Sequence, residues 1–433
     1  MLAFLCFWIV ASGLDDLFID LASLIRVWRR RPEAPRLSPR EPPLSIAILV
    51  PCWHEAEVIG RMLEHNLAAI RYSDFDIFVG AYPNDDATHS AVRLVEAKHP
   101  RVHLALVPHD GPTSKADCLN WVVQHIELVE EQRGRRFDAL LMHDAEDLIH
   151  PLELERLNIE LRNNDFVQVP VLALPTPWRE FTHGVYCDEF AESQMKELPT
   201  RVFLGGFLPS CGVGTGLSRR IIDRLAETNA NRVFEPESLT EDYELGRRVH
   251  QLGGKQKMLE GHAVATREYF PRERRFAVRQ RTRWITGIAL QGWERIGWGS
   301  PREWYWFWRD RKGLLGNPLT LLTNLMFLAG LCGWQIPVPH ELLWPGLALQ
   351  CYRIGLRMYF SGRLYGWRFA LGAPIRVVWG NWINSLATFR AFHQYARAKW
   401  RGEPLRWLKT SHAYPTREAL MSHKRRLGEI LVD

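Results

Sequence analysis

Residues 44–85 read LSIAILVPCWHEAEVIGRMLEHNLAAIRYSDFDIFVGAYPND, and this stretch decides the fold. Its first eight residues form an apolar run that predicts a buried strand. A segment with helical spacing follows from Glu57 to Ile70, and DIFVGAYP predicts a second strand. The alternation continues with a helix at Thr88–Lys98, the strand VHLALVP, a helix at Ser114–Glu131 and the strand DALLMHD. Strands that alternate with helices predict an α/β domain with a mostly parallel, doubly wound sheet.

Polar side chains cluster where these predicted strands end. Glu55 follows the first strand, Asp85 follows the second, and Lys115 lies at the start of the third helix. Turn residues and helix caps use the same residue types, so each position alone is a weak signal. Ligands of open parallel sheets bind beyond the carboxyl ends of the strands. Together these residues predict one crevice lined by acids and a lysine.

The fourth predicted strand ends in HDAED, which contains Asp144, Glu146 and Asp147. Carboxylates this close repel one another unless a cation neutralises them. Oxygen ligands suit Mg²⁺ or Mn²⁺, which also bind diphosphate groups. A solvated acidic cluster at a strand end is the alternative, and the residues alone leave both open.

Two later motifs add candidate chemistry. Glu241 and Asp242, in LTEDYELGRR, open a predicted helix, where an acid serves either as a cap or as a base for an attacking hydroxyl. Gln280, Arg283 and Trp284 form Q-x-x-R-W. A guanidinium pairs with phosphate, and an indole is a flat platform for a sugar ring. The same segment also has the pattern of a basic amphipathic helix on a membrane.

A glycine-rich loop, GGFLPSCGVGTGLSRR, lies between these motifs and contains Gly205, Gly206, Gly212, Gly214 and Gly216. It could allow close approach of the backbone to a ligand. It does not have the spacing of a phosphate loop or of a dinucleotide fingerprint.

The composition favours a membrane-associated protein over a nucleic-acid-binding one. The 433 residues carry a net charge of +6, and the arginine clusters lie beside apolar or Trp-rich stretches, which favours a lipid surface. The mean hydropathy of −0.20 is too low for a polytopic transporter. Seven widely spaced cysteines without a C-x-x-C pair predict a reduced compartment and no zinc site.

The chain divides into five predicted regions. Residues 1–31 form an N-terminal membrane helix, short for a full crossing, followed by an interfacial helix; a buried terminal helix is the alternative. Residues 32–43 form a proline-rich linker and 44–300 the α/β domain. Residues 301–398 contain a strong span at Leu314–Ile336, a weaker span at Glu341–Phe360 and an interfacial segment at Leu364–Phe389. Residues 399–433 form a basic cytoplasmic tail.

The motifs VPCWHE, NDDAT, SKADCLN, HDAED, TEDYELGRR and QRTRW, in this order over about residues 45–290, resemble the family 2 glycosyltransferases of the GT-A fold. TED followed by Q-x-x-R-W is highly specific for the membrane-embedded branch of that family. Stretches such as GPTSKADCLN and SLTEDY resemble more narrowly the phage adsorption protein B type of bacterial inner-membrane glycosyltransferase. In that type a cyclic-di-GMP-binding domain follows the membrane region, and RRLGEILVD resembles only its first residues.

The resemblance implies a role for each candidate residue. Glu55 and Asp85 would contact the uracil of UDP, and Lys115 would stabilise the donor. Asp144, with Glu146 or Asp147, would hold Mg²⁺ or Mn²⁺ on the diphosphate; the sequence reads D-A-E-D where the family has D-x-D, so the second ligand stays open. Asp242 would be the catalytic base, beside Glu241. Gln280 and Arg283 would hold the pyrophosphate, and Trp284 would face the acceptor.

The resemblance also implies partners and a location. The expected ligands are a UDP-sugar donor and a glycan acceptor, in a catalytic domain on the cytoplasmic side of the bacterial inner membrane. The lipid bilayer and an outer-membrane export or receptor protein are further expected partners, and nucleic acid is not. Cyclic-di-GMP would act only through a regulatory domain outside this chain. The alternative function is a membrane receptor or scaffold, within a phage-adsorption or polysaccharide-export complex, that keeps a glycosyltransferase-like shell.

Overall fold

Nine strands and sixteen helices are found in the computed structural model, which describes residues 2–29, 41–334, 340–403, 405 and 414. The strands are β1 (Ile46–Pro51), β2 (Phe75–Ala81), β3 (Val102–Leu106), β4 (Ala139–Met142), β5 (Phe166–Gln168), β6 (Val171–Ala173), β7 (Thr215–Ser218), β8 (Gln256–Met258) and β9 (Thr266–Glu268). The helices of the α/β domain are α2 (Ala56–Ala69), α3 (Asp86–Glu96), α4 (Lys115–Arg133), α5 (Glu153–Glu160), α6 (Phe181–Glu192), α7 (Leu198–Phe203), α8 (Arg219–Glu227), α9 (Glu241–Gln251), α10 (Arg274–Trp284) and α11 (Gly292–Ile296). The remaining helices are α1 (Leu2–Arg29), α12 (Trp304–Arg311), α13 (Gly313–Leu331), α14 (His340–Tyr365), α15 (Trp367–Ala370) and α16 (Ala373–Arg401).

The central sheet has the order β3-β2-β1-β4-β7-β5-β8. The first four strands are parallel, as the alternating pattern predicts, whereas β7 runs antiparallel to both of its neighbours. Strands β6 and β9 form a separate two-stranded sheet. The chain leaves β1 towards β2 and returns on its other side as β4. This reversal opens a crevice between the ends of β1 and β4, where such sheets bind ligands.

Both faces of the sheet are buried, which accounts for the uninterrupted apolar runs in the sequence. Ile46 and Ile48 pack against α2 and α5 on one face, and Ala47 and Leu49 pack against α4 on the other. Helix starts are fixed by caps that also position the site. Asp85 accepts a hydrogen bond from the backbone N–H of Thr88, and Ser114 accepts one from that of Asp117.

The N-terminal segment differs from its predicted form, because α1 is one continuous helix of 28 residues. The aspartates within this helix are paired inside the structure. Asp15 lies 2.6 Å from the Lys312 ammonium, and Asp16 lies 2.5 Å from the Arg353 guanidinium. Among the described helices, Leu2–Arg29 and Trp304–Leu331 are long and apolar enough to cross a membrane.

The predicted single segment Leu364–Phe389 is also corrected. Gly366, with a φ of 87°, ends α14 and separates it from α15 and α16. Helix α16 packs on α6, α10 and α13, and Arg376 is buried on that face. Its other face exposes an apolar stripe made of Ile375, Val378, Trp382 and Phe389. The predicted linker before residue 41, and most of the predicted tail, lie outside the described residues.

Candidate active site

The acid motif after β4 meets the lysine that begins α4. Lys115 Nζ lies 2.5 Å from Oδ1 of Asp144, and it donates a 3.4 Å hydrogen bond to the carbonyl oxygen of Gly212. Burial alone would lower the pKa of Lys115, but the charges of Asp144 and Glu241 raise it. The lysine therefore stays charged and links the motif to the glycine-rich loop.

The three acids of this motif face different surroundings. Glu146 is buried and lines a cavity with Asp144 and Glu55. Asp147 is fully buried, and its Oδ2 accepts hydrogen bonds from the backbone N–H of Asp144, at 2.9 Å, and from the ring of His143, at 2.8 Å. Oδ2 of Asp147 thus holds the motif in shape, while Asp144 and Glu146 face the cavity.

The loop after β1 carries Glu55, whose backbone N–H donates to Oγ1 of Thr88 at 2.9 Å. Asp85 is buried beside this loop and accepts a 2.6 Å hydrogen bond from the backbone N–H of His54. Burial alone would raise the pKa of Asp85, but the hydrogen bonds from Thr88 and His54 lower it. The ionised Asp85 carboxylate therefore ties the β1 loop to the start of α3, and its predicted contact with a nucleobase stays a prediction.

Glu241 and Asp242 begin α9 on the opposite side of Lys115. Burial and the neighbouring charge of Asp242 raise the pKa of Glu241 to about 7. Burial also raises the pKa of Asp242, against the opposing charges of Lys115 and Arg283. The two carboxyl groups form a coupled pair in which one proton is held near neutral pH. Such a pair suits proton transfer.

Two glycines allow close packing around this pair. A β-carbon on Gly212, whose φ is 80°, would lie 2.7 Å from Oδ2 of Asp242. A β-carbon on Gly287 would lie 2.7 Å from Oγ1 of Thr240, the residue that precedes Glu241. Gly287 belongs to the π-helical turn Ile285–Gln291, which directly follows α10. The glycine-rich loop and this turn thus hold the start of α9 between them.

The predicted Q-x-x-R-W residues lie at the end of α10. Arg283 is close enough to oppose the raised pKa of Asp242. The side-chain oxygen of Gln280 is buried, and within the described part of the chain it has no hydrogen-bond partner. The Trp284 ring packs edge-on against Tyr186, with 6.3 Å between the ring centroids. Arg283 therefore lies near Asp242, and Trp284 lies against the aromatic ring of Tyr186.

A cavity of about 60 Å³ lies between the loop after β1, the start of α4 and the acid motif, and it opens to solvent. Trp53, Tyr82 and Lys115 line it with the acids. Over the described ranges, no three His, Cys, Asp or Glu side chains converge to hold a metal ion by themselves. Mg²⁺ commonly takes only one or two protein carboxylates together with phosphate oxygens and water. The Asp144 and Glu146 oxygens therefore fit a metal that arrives with a diphosphate.

Several residues of the site escape sequence reasoning. The ring of His143 contacts Asp147 through one nitrogen and Glu153 through the other, with 3.0 Å between Nε2 of His143 and Oε1 of Glu153. Glu268 and Cys211 face the same region from β9 and from the glycine-rich loop. The loop itself carried a signal, because its glycines predict a close backbone approach. In the structure Gly212 makes the close approach, and it contacts Asp242 of the protein itself rather than a ligand.

Comparison with known proteins gives the family. The family described as "Glycosyltransferase like family 2" matches residues 42–287, more than half of the chain. A mannosyltransferase from Pyrobaculum calidifontis, solved in complex with GDP-Man and Mn²⁺, superposes with a TM-score of 0.54. The superposition covers 88% of this chain and 99% of that chain, at 18% identity, and it establishes a shared GT-A-like fold.

Two curated relatives resemble almost the whole chain. They are bacteriophage adsorption protein B of Escherichia coli K12 and bacteriophage N4 adsorption protein B of Escherichia coli O157:H7. Each is 37% identical over 473 aligned positions, which cover 98% of this chain and 63% of the relative. The chain thus spans less than two thirds of their length. With the family match, the fold and the order of the motifs in agreement, this protein belongs to glycosyltransferase family 2.

Proposed function

We propose that this protein is an inverting glycosyltransferase that moves a sugar from a UDP-sugar to a glycan acceptor for a secreted or cell-surface polysaccharide. One observation carries the proposal. The Lys115 ammonium contacts Asp144 of the acid motif and the carbonyl oxygen of Gly212, and Gly212 packs directly on Asp242. The acid motif, proposed to bind the leaving diphosphate, and the carboxylate of Asp242, proposed to act on the attacking hydroxyl, are therefore held close together.

In the proposed reaction, Asp242 is the base, and Oδ2 accepts the proton of the acceptor hydroxyl. The oxygen attacks the anomeric carbon from the side opposite the diphosphate, so the configuration is inverted. Lys115 and Arg283 stabilise the negative charge that develops on the departing nucleotide. Gln280 helps to hold the pyrophosphate, and Trp284 faces the acceptor sugar. Glu241 lies beside the base, and burial together with the charge of Asp242 raises its pKa to about 7.

The proposed metal site consists of Asp144 and Glu146, with Asp147 as their support. Oδ2 of Asp147 accepts hydrogen bonds from His143 and from the backbone of Asp144, whereas Glu146 lines the cavity. Mg²⁺ or Mn²⁺ bound there would neutralise charge on the leaving diphosphate. Glu55 and Asp85 flank the part of the crevice proposed for the nucleobase.

We further propose that the catalytic domain lies on the cytoplasmic face of the bacterial inner membrane. The basic run Arg26–Arg31 begins in the last turn of α1, and such runs stay on the cytoplasmic side. The exposed apolar stripe of α16 fits a helix that lies in the membrane surface. Because α16 also packs on α10, this placement would bring Trp284, at the end of α10, close to the bilayer.

The test is nucleotide release from a panel of donors. Protein purified in detergent is incubated with UDP-sugars and GDP-mannose, with Mn²⁺, Mg²⁺ or EDTA, and release of UDP or GDP is followed. We expect metal-dependent release from one donor, its loss in Asp242→Asn, and retention of nucleotide binding by that variant. Glu64→Gln, an exposed change on α2, is the matched control and should behave as wild type.

The same samples test the alternative of a receptor or scaffold, which the names of the two adsorption-protein relatives favour. Nucleotide binding measured by calorimetry without release from any donor would support that alternative. Normal turnover by Asp242→Asn would contradict the proposed base.

A further inference from the structure

Glu268 is an acidic side chain near the acid motif that the proposed reaction does not use. Glu268 ends β9, and its backbone is fixed by strand pairing with Ala173 and by a hydrogen bond from the N–H of Leu174 to its carbonyl oxygen, at 2.9 Å. The neighbouring Arg267 pairs with Leu148, the residue that follows Asp147. Strand β9 therefore runs directly beside the acid motif.

Strand geometry fixes the direction of the Glu268 side chain, because residues two apart share one face of a strand. Thr266 occupies the same face, and its Oγ1 donates a 3.0 Å hydrogen bond to Oε2 of Glu153. Glu153 in turn contacts His143, which holds Asp147. This face of β9 is thus turned towards the acid motif.

The electrostatic surroundings agree with that direction. Burial and the charges of Asp147, Glu146 and Asp144 raise the pKa of Glu268 well above its usual range. Burial and the charges of Asp242 and Glu268 raise the pKa of Cys211 to about 12. Glu268 therefore lies between the acid motif, which is proposed to hold the diphosphate, and the loop that packs on the base.

In the part of the chain that the structure describes, the Glu268 side chain makes no hydrogen bond and no ion pair. A half-buried carboxyl group normally has a partner. In the proposed reaction the transferred sugar is attached to the diphosphate and reacts with the acceptor beside the base. It must therefore occupy the space that Glu268 borders. Sugar hydroxyl groups can donate a hydrogen bond to a carboxyl oxygen.

We propose that Glu268 binds the transferred sugar, with its carboxyl group accepting a hydrogen bond from one hydroxyl group of that sugar. The inference rests on the proposed function. It makes Glu268 a determinant of which sugar is accepted, separate from the residues that bind the nucleotide and the metal.

The test compares the affinities for a nucleotide-sugar and for the free nucleotide by calorimetry. The probes are UDP-glucose, UDP-N-acetylglucosamine, GDP-mannose, UDP and GDP, with the wild type, Glu268→Ala, Glu268→Gln and the control Glu64→Gln. We expect Glu268→Ala to weaken binding of the nucleotide-sugar roughly 2- to 10-fold, the range of a hydrogen bond between uncharged groups, and to leave free-nucleotide affinity unchanged. Glu268→Gln should recover part of the loss, because its amide oxygen still accepts.

Deoxy analogues of the bound sugar identify the hydroxyl group. For the analogue that lacks it, the wild type and Glu268→Ala should bind equally well. An equal loss for nucleotide and nucleotide-sugar would mean a structural role, and no loss would mean no contact; either result overturns the inference alone. A wild-type chain that binds none of the probes would overturn the proposed function as well.

Discussion

Gly212 and Asp242 pack so closely that a β-carbon on the glycine would lie 2.7 Å from Oδ2 of the carboxylate. Gly212 also has a φ of 80°, a conformation that side chains with a β-carbon rarely adopt. The glycine-rich loop therefore determines where the proposed base stands. The carboxylate can take this position only because residue 212 has no side chain. A search for sequence motifs does not detect such a requirement.

The first prediction separates this contact from backbone strain. Gly212→Ala should lower kcat at least 100-fold, because the methyl group displaces the Asp242 carboxylate from its position. Gly205→Ala is the matched control, since Gly205 has a φ of 78° and open space around it. Both variants should lose about 1–2 kcal/mol of stability from the left-handed conformation, and only Gly212→Ala should lose turnover. Equal kcat values for the two variants would contradict the positioning role.

The second prediction concerns pH. Because burial and mutual repulsion raise the pKa of Glu241 to about 7, the pair retains a proton below that pH. A base must be ionised, so kcat/KM should fall as the pH drops through about 7. In Glu241→Gln the remaining carboxyl group loses a negative neighbour, and the acid limb should move down by about one pH unit. Donor affinity, measured over the same range, controls for effects on binding. A flat profile from pH 6 to pH 8 would exclude the pair as the base.

The third prediction distinguishes the two candidates for the second metal ligand. Glu146→Gln should raise the Mn²⁺ concentration for half-maximal activation at least 10-fold and leave the melting temperature unchanged. Asp147→Asn should lower the melting temperature, at a cost of about 1–3 kcal/mol. The neutral amide still accepts hydrogen bonds, but it removes a negative charge beside the ring of His143, whose pKa, despite burial, Glu153 and Asp147 raise to about 9. The reverse pattern would make Asp147 the ligand.

The parallel strands of the sheet and most residues of the site can be predicted from the sequence, because both depend on local patterns. The apolar runs around Ile48 and Leu141 are uninterrupted, since both faces of the sheet are covered. The polar residues after them meet because parallel strands end at one edge. The antiparallel direction of β7 cannot be predicted in this way, because three of its four residues are buried and a short run of this kind does not indicate strand direction.

The features that escape prediction depend on contacts between distant residues. Three aspartates in α1 suggest a break in a membrane helix until their partners are known, and one of those partners, Arg353, is more than 300 positions away. Glu268 lies in a segment without a motif, and only the pairing of Arg267 with Leu148 brings it to the site. No periodicity in the sequence encodes either contact.

The fourth prediction concerns the attachment of α16. The Arg376 guanidinium is fully buried and donates to both oxygens of Asp188 in α6, at 2.7 and 2.9 Å. Removing one partner leaves the other charge buried and unpaired, which typically costs 3–5 kcal/mol. Arg376→Ala and Asp188→Ala should each lower the melting temperature in detergent strongly, and the double variant Asp188→Leu with Arg376→Met should recover much of it. Arg397→Ala, on the exposed side of α16, should have no effect. Additive losses in the double variant would refute the pairing.

The fifth prediction tests the proposed orientation in the membrane. Helix α13 has 19 residues, a length of about 28 Å, so its two ends lie on opposite sides if it spans the bilayer. Cys332, exposed at its far end, should then face the periplasm, and a cysteine placed at the exposed position Lys399 of α16 should face the cytoplasm. The assay uses a background in which Cys6, Cys211 and Cys351 are replaced by serine, because these cysteines are also accessible. In intact spheroplasts a membrane-impermeant maleimide should label Cys332. It should not label Lys399→Cys in the same background with Cys332→Ser, and lysis should make that site reactive. Labelling of Lys399→Cys in intact spheroplasts, with Cys332 protected, would reverse the orientation. It would place the catalytic domain outside the cytoplasm, away from the pool of nucleotide-sugars on which the proposed reaction depends.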